Sequence, residues 1–216
     1  MAGRILLSAL LSAVAIIIWG FIYWAALPFG ASSLRTLPNE DAVRATLSQN
    51  LTESGAYAFP GMDPNAADKA TAEKTYREKR IAGPVGILMF KKDGGEPMAP
   101  AQIVTGFIHA FIAAVLMGIL LVMALPALPM YGQRVLFVFL GGIFAAYTVD
   151  SGYYNWWNFP AGFTLANAVY EALAWLFAGL IMARILGGNG AARMHSTDDG
   201  PRGGAFTFQP PVILRK

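Results

Sequence analysis

Three ionisable residues fall within strongly apolar stretches of the sequence: His109, Asp150 and Glu171. An ionised side chain at the centre of a bilayer costs at least about 2.5–3.5 kcal/mol on insertion scales, so each of these residues needs a partner or a function. Asn167 precedes Glu171 by four residues, which places both on one face of a helix. We therefore predict one polar cluster in the outer half of a helix bundle, formed by His109, Asp150, Asn167 and Glu171.

Two interpretations of this cluster are open. It is either a proton path, a metal site or a ligand site, or a set of hydrogen bonds between helices that fixes the bundle. We expect Tyr147 on the same side as Asp150 and Tyr154 above it. The second interpretation is favoured, because no metal-ligand spacing such as Glu-x-x-His is present. A bis-histidine haem is excluded as well, since the second histidine, His195, lies in the tail on the opposite side.

The remaining sequence offers little for catalysis. There is no cysteine, which excludes thiolate nucleophiles, disulfides and iron–sulfur ligation. No serine lies in a nucleophile turn, and neither a phosphate loop nor a basic stripe for nucleic acid is present. The sequence therefore predicts a protein that is not an enzyme, with no catalytic residue, no metal, no cofactor and no nucleic-acid partner.

The composition predicts that lipid is the solvent of the elements carrying the cluster. Of the 216 residues, 56% are hydrophobic and 13% are charged, whereas soluble domains carry roughly a quarter charged residues. Four apolar runs of spanning length are present. We expect an all-α membrane protein with a first transmembrane helix in 1–28 and a three-helix membrane domain in 101–187, with spans at 102–126, 133–150 and 163–186.

The start of the chain has a competing interpretation, that of a secretory signal cleaved after Ala31. A retained span is favoured because its apolar run is longer than a signal core and ends in aromatic residues. Such residues gather at the boundary between lipid and water. We assign this interfacial role to two groups, one at the end of the first span and one after the third: Trp19, Tyr23, Trp24, Tyr153, Tyr154, Trp156 and Trp157.

Residues 29–100 form a hydrophilic insert with nine basic and nine acidic residues. We expect a small α+β unit here. Asn39 can cap a helix that stops near Gly55, and 57–60 is extended. A solvated helix follows over 63–81, and a short strand over 85–90. So few apolar positions make the insert marginal alone, so it should pack on the membrane surface or on a partner.

Charge in the short loops predicts the orientation. With four spans, basic residues from the N-terminus, from the loop before the third span and from the tail share one side, while 151–162 contains none. The positive-inside rule then places both termini in the cytoplasm and the insert outside, in a bacterial inner membrane.

Small residues predict how the spans associate, since helices in lipid pack through close contacts rather than through the hydrophobic effect. The second span has a stripe at a spacing of four, and the third and fourth offer paired small residues. The stripe consists of Gly106, Ala110, Ala114 and Gly118.

The cytoplasmic tail, 188–216, ends in an alternating aromatic and polar segment followed by two prolines. As a hypothesis, it is an extended docking peptide in which Phe206 and Phe208 insert into a partner, while Arg215 and Lys216 meet acidic groups or anionic lipid. A disordered tail with incidental aromatics is the equal alternative.

The stretches 19–24, 37–40 and 54–61, which read WGFIYW, LPNE and SGAYAFPG, resemble a group of uncharacterised bacterial inner-membrane proteins. That group has one span, an outer insert with a Gly-x-Tyr-x-x-Pro element and three further spans. The resemblance implies a bacterial four-span protein and no catalytic residue.

Contact features outnumber chemical ones in this sequence. We therefore expect a structural accessory subunit of a larger bacterial membrane complex, bound to lipid and to other membrane subunits. An energy-transducing complex, photosynthetic or respiratory, is suggested by analogy. The alternative is a small membrane carrier or ligand-binding protein that uses the His109 and Glu171 cluster. Against a carrier, the spans show no inverted repeat.

Overall fold

The computed structural model describes residues 1–188, which form seven α-helices and one two-stranded sheet. The elements follow one another as α1 (Ala2–Phe21) with a π-helical turn (Ile22–Ala26), α2 (Pro28–Ser32), α3 (Glu40–Asn50), β1 (Gly55–Phe59), α4 (Lys69–Ala82), β2 (Gly86–Phe90), α5 (Pro100–Ala124) with a 3₁₀ turn (Leu125–Ala127), α6 (Tyr131–Trp157) and α7 (Ala161–Gly187).

The prediction of four membrane-length helices is confirmed. Helices α5, α6 and α7, and α1 together with its π-helical turn, are each long and apolar enough to cross a bilayer. Because the chain reverses at each connection, the bundle has two distinct ends. We call the end that holds the insert and the α6–α7 connection the insert end, and the end that holds Met1 and the α5–α6 connection the opposite end.

Helix α6 is longer than predicted. The third span was expected to end at Asp150 and to be followed by a connection over 151–162, but α6 runs to Trp157 and α7 begins at Ala161. Residues 151–157 contain no proline, and their single glycine, Gly152, is tolerated within the helix. Asn158 ends it, with the left-handed backbone (φ 59°) that often follows a helix terminus.

The four long helices are arranged in the order α5, α1, α7, α6. Helix α1 packs against both α5 and α7, and α7 packs most extensively against α6. Helices α5 and α6 are neighbours in sequence but contact each other far less. One apolar cluster includes buried residues from all four helices, whereas the second draws on α1, α5 and α7 only. The second comprises Ala13, Ile16, Ala110, Ala174 and Ala178.

Small residues lie where the helices approach most closely. In the predicted stripe on α5, Ala110, Ala114 and Gly118 are buried, and a β-carbon added to Gly118 would lie 3.3 Å from Ile5 on α1. In the α6–α7 interface, a β-carbon on Gly142 would overlap the side chain of Trp175. A β-carbon on Gly179 would lie 3.1 Å from the carbonyl oxygen of Val135. The α6–α7 pair therefore has no space for larger side chains at these positions.

Two arginines join elements at the opposite end. Arg134 is buried, and its guanidinium donates to the carbonyl oxygens of Leu128 and Pro129, both at 2.8 Å. These bonds hold the connection between α5 and α6. Arg4 donates to the carbonyl oxygen of Ile185, which joins the start of α1 to the last turn of α7. Both arginines therefore satisfy carbonyl groups that a helix end or a loop would leave unpaired.

The insert differs from the bundle in having no interior. Strands β1 and β2 pair antiparallel, with Gly55 opposite Phe90 and Phe59 opposite Gly86. Helix α3 ends at Asn50, before the expected stop at 55, and α4 begins at Lys69, later than the expected start at 63. None of residues 32–109 is buried.

The start of α4 is set by Asp68. Its carboxylate accepts hydrogen bonds from the backbone N–H of Thr71 at 3.1 Å and from the Thr71 hydroxyl at 2.6 Å. These bonds favour the charged carboxylate and lower the pKa of Asp68. Asp68 is the N-cap residue, so α4 begins where a capping side chain is available rather than where its helical pattern begins.

Candidate functional site

A cavity of about 510 Å³ lies between α5 and α6 and is closed at the back by α7 and α1. Its place follows from the helix packing, because α5 packs mainly against α1 and α6 mainly against α7, and the two contact each other little. Small side chains on three of the four helices leave the space open. The lining residues are Ile16, Ile17, Gly106, His109, Ala110, Ala113, Ala145, Ala146, Val149, Asp150, Asn167, Tyr170, Glu171, Ala174 and Trp175.

The structure brings all four residues of the predicted polar cluster to the wall of this cavity. His109 is on α5, Asp150 on α6, and Asn167 and Glu171 on α7. Asn167 and Glu171 are four residues apart, so both side chains lie on the face of α7 that borders the space between α5 and α6. The side chain of His109 is exposed, whereas that of Glu171 is half-buried. The cavity therefore opens beside His109 and is closed towards α7.

Asp150 is the most buried of the four, with 6% of its surface exposed. Its Oδ1 accepts a hydrogen bond from the Asn167 amide at 2.9 Å. Its Oδ2 is also buried, and no described residue donates a hydrogen bond to it. A buried carboxylate oxygen without a donor is costly, because it has lost its water without a replacement. One oxygen of the site, Oδ2 of Asp150, thus lacks a hydrogen-bond donor among the described residues.

The cavity lining is acidic. It includes two carboxyl groups and one imidazole, and no lysine or arginine is among the described lining residues. Electrostatic interactions are stronger in a partly buried site than in solution. No group of three His, Cys, Asp or Glu residues in 1–188 is placed to hold a metal ion. The arrangement can therefore accept hydrogen bonds and bind positive charge, but it does not form a metal-binding cluster.

Sequence reasoning missed two aromatic residues of the site, Tyr170 and Trp175, which line the cavity on either side of Glu171. Trp175 follows Glu171 by four residues, so helical spacing alone would have placed it on the same face. Tyr170 precedes Glu171 directly, and its position depends on how α7 packs against α1. Of the two, only Trp175 could have been found from the sequence.

The two tyrosines expected beside the cluster lie elsewhere. Tyr147 is 72% exposed and Tyr154 is 54% exposed, and neither lines the cavity. Tyr147 precedes Asp150 by three residues, a separation of about 300° around a helix with 3.6 residues per turn. Its side chain is therefore about 60° from the buried carboxylate, on the side of α6 away from Ala146 and Val149, which line the cavity.

The predicted interfacial aromatics divide into two groups. Tyr153, Tyr154, Trp156 and Trp157 are exposed at the last turns of α6. At the end of α1 the side chains turn inward instead, where two of the three donate hydrogen bonds to backbone carbonyls of α7. Tyr23 is 2% exposed and donates to Ala166 at 2.7 Å, Trp19 is half-buried and donates to Tyr170 at 3.1 Å, and Trp24 is half-buried.

Replacing Tyr23 with phenylalanine tests the contact between α1 and α7. We expect the free energy of unfolding in mild detergent to fall by about 0.5–1.5 kcal/mol, the usual contribution of one hydrogen bond. Tyr147→Phe is the matched control, because this tyrosine is 72% exposed and the same change should alter stability by less than about 0.5 kcal/mol. Thermal unfolding followed by circular dichroism measures both. Equal effects of the two substitutions would contradict a structural role for the Tyr23 hydroxyl.

The predicted docking residues Phe206, Phe208, Arg215 and Lys216 lie outside the described residues. Comparison of the chain with models of protein families, with curated proteins and with solved structures gave no match. The four apolar helices are compatible with a multi-pass membrane protein.

Proposed function

We propose that the chain is a structural accessory subunit of a larger membrane complex, which it joins through its insert. The observation that carries this proposal is the absence of any buried residue over 32–109. Folding fixes the backbone at a cost of about 1–2 kcal/mol per residue, which burial of apolar surface must offset. An insert without an interior buries little apolar surface by itself. A surface outside the chain would therefore have to provide the stabilising contact.

The insert has apolar side chains suited to such a contact. Ile81, in the last turn of α4, is 76% exposed, and Met89 on strand β2 is 72% exposed. Neither side chain is covered by the bundle. Exposed methionine and isoleucine next to a polar rim are typical of protein interfaces.

Charge favours a protein over a lipid surface as the partner. The insert contains nine basic and nine acidic residues, so it has no net attraction to anionic head groups. Mixed charges also border the groove along α4, where Lys69, Glu73, Arg77 and Arg80 lie beside Tyr76. Such an arrangement gives specificity through complementary charges on a partner. In this proposal the insert faces outward from a bacterial inner membrane and the termini are cytoplasmic.

The partner contact predicts a specific loss of association. Ile81→Ser combined with Met89→Ser should reduce the co-purifying partner at least tenfold, because two apolar anchors of an interface commonly contribute more than about 1.4 kcal/mol together. Ala82→Ser is the control, since this residue is exposed on the same helix but contributes less apolar surface. Native mass measurement after gentle detergent extraction reports the stoichiometry.

Circular dichroism should give the same helix content for all variants, since the altered side chains are not buried. Isolation of the unmodified protein as a monomer without any partner would contradict the proposal. Equal retention of the partner by the double variant and the control would place the contact outside the insert.

A further inference from the structure

The cavity between α5 and α6 has the properties of a ligand site that is independent of the insert. We propose that it binds a primary ammonium group, supplied by an ethanolamine lipid head group or by a free amine. The first observation is the unmet hydrogen-bond demand of Asp150: its carboxylate is buried, Asn167 satisfies Oδ1, and Oδ2 has no donor among the described residues.

Charge sets the sign of the ligand. Asp150 and Glu171 both line the cavity, and His109 is the one side chain of the described lining that can carry positive charge. Two carboxylates in a medium of low dielectric repel each other, and a cation placed between them relieves this repulsion. A neutral ligand could donate a hydrogen bond to Oδ2 but would leave the repulsion in place.

The hydrogen-bond geometry separates an ammonium group from other cations. A primary ammonium group has three N–H donors, so it can donate to Oδ2 of Asp150, which a rotation of this covered side chain would bring to the cavity, and it keeps two donors for other acceptors of the wall such as Glu171. A quaternary ammonium group has no donor. A bare metal ion requires several ligands at short distance, and the described residues do not form such a group.

The walls of the cavity suit an organic cation. Tyr170 and Trp175 line it, and aromatic rings of this kind attract ammonium groups through their π-electrons. The volume of about 510 Å³ is far more than a bare ion needs and lies within the range of small-molecule pockets, about 300–1,000 Å³. The space beyond the ammonium group is bordered by small apolar residues, which suits a hydrocarbon or glycerol continuation.

The depth of the site is compatible with either source. Helix α6 has 27 residues, so it is about 40 Å long and exceeds a hydrocarbon core of about 30 Å by roughly 5 Å at each end. Asp150 lies seven residues before the end of α6 at Trp157, which is about 10 Å along the helix axis. The carboxylate is then within about 5 Å of the head-group region, near enough for a lipid amine that enters from the side.

Calorimetric titration of the full-length protein in nanodiscs tests the proposal. The probe is ethylammonium chloride, in discs that contain only phosphatidylcholine, against ethanol as a neutral compound of similar size and sodium chloride as the salt control. We expect saturable binding of ethylammonium that is at least tenfold tighter than that of ethanol. Equal heats for the three titrants would overturn the proposal.

Variants then connect binding to the cavity. Asp150→Asn retains the shape but removes the charge, and should weaken ethylammonium binding at least tenfold, as expected for a charge-assisted hydrogen bond. Asp41→Asn makes the same change on the exposed face of α3 and should leave binding unaltered. If Asp150→Asn does not fold, Glu171→Gln tests the same wall at a half-buried position. Unchanged binding in the folded cavity variant would overturn the proposal.

Discs that contain phosphatidylethanolamine distinguish the two sources. Competition by this lipid, seen as weaker apparent binding of ethylammonium than in phosphatidylcholine discs, supports the lipid head group. Identical binding in both kinds of disc supports a free amine. Loss of the partner in the Ile81→Ser and Met89→Ser variant should not affect ethylammonium binding, so failure of one proposal is distinguishable from failure of the other.

Discussion

Replacing Gly142 with leucine is expected to separate α6 from α7 and to prevent formation of the native bundle. A single β-carbon at this position would overlap the side chain of Trp175, and this neighbour cannot move away easily because it is packed against both apolar clusters. An overpacking substitution typically costs about 1–3 kcal/mol and occasionally more, so Gly142→Ala should be destabilising and the much larger Gly142→Leu should exceed about 3 kcal/mol. Thermal unfolding in detergent, followed by circular dichroism, measures the loss.

Gly152 provides the matched control on the same helix. A β-carbon added there meets no atom within 4 Å, so Gly152→Ala should preserve or slightly raise stability because alanine favours the helix by about 1 kcal/mol over glycine. If Gly142→Ala and Gly152→Ala had the same effect, the close approach of α6 and α7 at Gly142 would be contradicted.

The second large effect is expected for Arg134→Met. Methionine retains much of the apolar volume, but the two hydrogen bonds to Leu128 and Pro129 are lost. Hydrogen bonds from a charged group contribute about 1.5–3 kcal/mol each, and the backbone carbonyls can recover part of this from water at the end of the bundle. We therefore expect a loss of about 2–4 kcal/mol in the free energy of unfolding.

Arg184→Met is the control for Arg134→Met. Arg184 lies in the last turn of α7 and is exposed, so its removal should cost less than about 1 kcal/mol. Limited proteolysis of the α5–α6 connection gives an independent readout, because release of this connection should speed up cleavage there in Arg134→Met alone. Comparable stability of the two variants would show that the buried guanidinium does not hold the connection.

Local sequence signals could predict the long helices. Apolar runs of spanning length do not depend on tertiary contacts, so the four spans follow from hydropathy alone. The ends of these helices were harder to predict from the sequence. The aromatic segment before Trp157 combines interfacial composition with helical geometry, and its composition led us to expect a connection where α6 continues. The end at Asn158 depends on a left-handed backbone conformation, which asparagine can adopt but does not require.

The polar residues of the site could be predicted, but its aromatic residues were missed and its surroundings could not be predicted. Asn167 and Glu171 are neighbours through helical spacing, and the cost of charge in lipid suggested that His109 and Asp150 would join them. The cavity itself depends on the separation of α5 and α6, which in turn depends on α5 packing against α1 and α6 packing against α7. No periodicity within one helix contains this information. For the same reason, the sequence could not show that Oδ2 of Asp150 lacks a donor among residues 1–188.

The position of α1 between α5 and α7 has a consequence for biosynthesis. Trp19 and Tyr23 on α1 donate their hydrogen bonds to α7, which is made roughly 140 residues later. At a translation rate of about 5–20 residues per second, α1 waits in the membrane for roughly 7–28 seconds before these acceptors exist. During that interval its indole and phenol donors face lipid or the insertion machinery. We therefore expect α1 to reach its final packing only after α7 has been made.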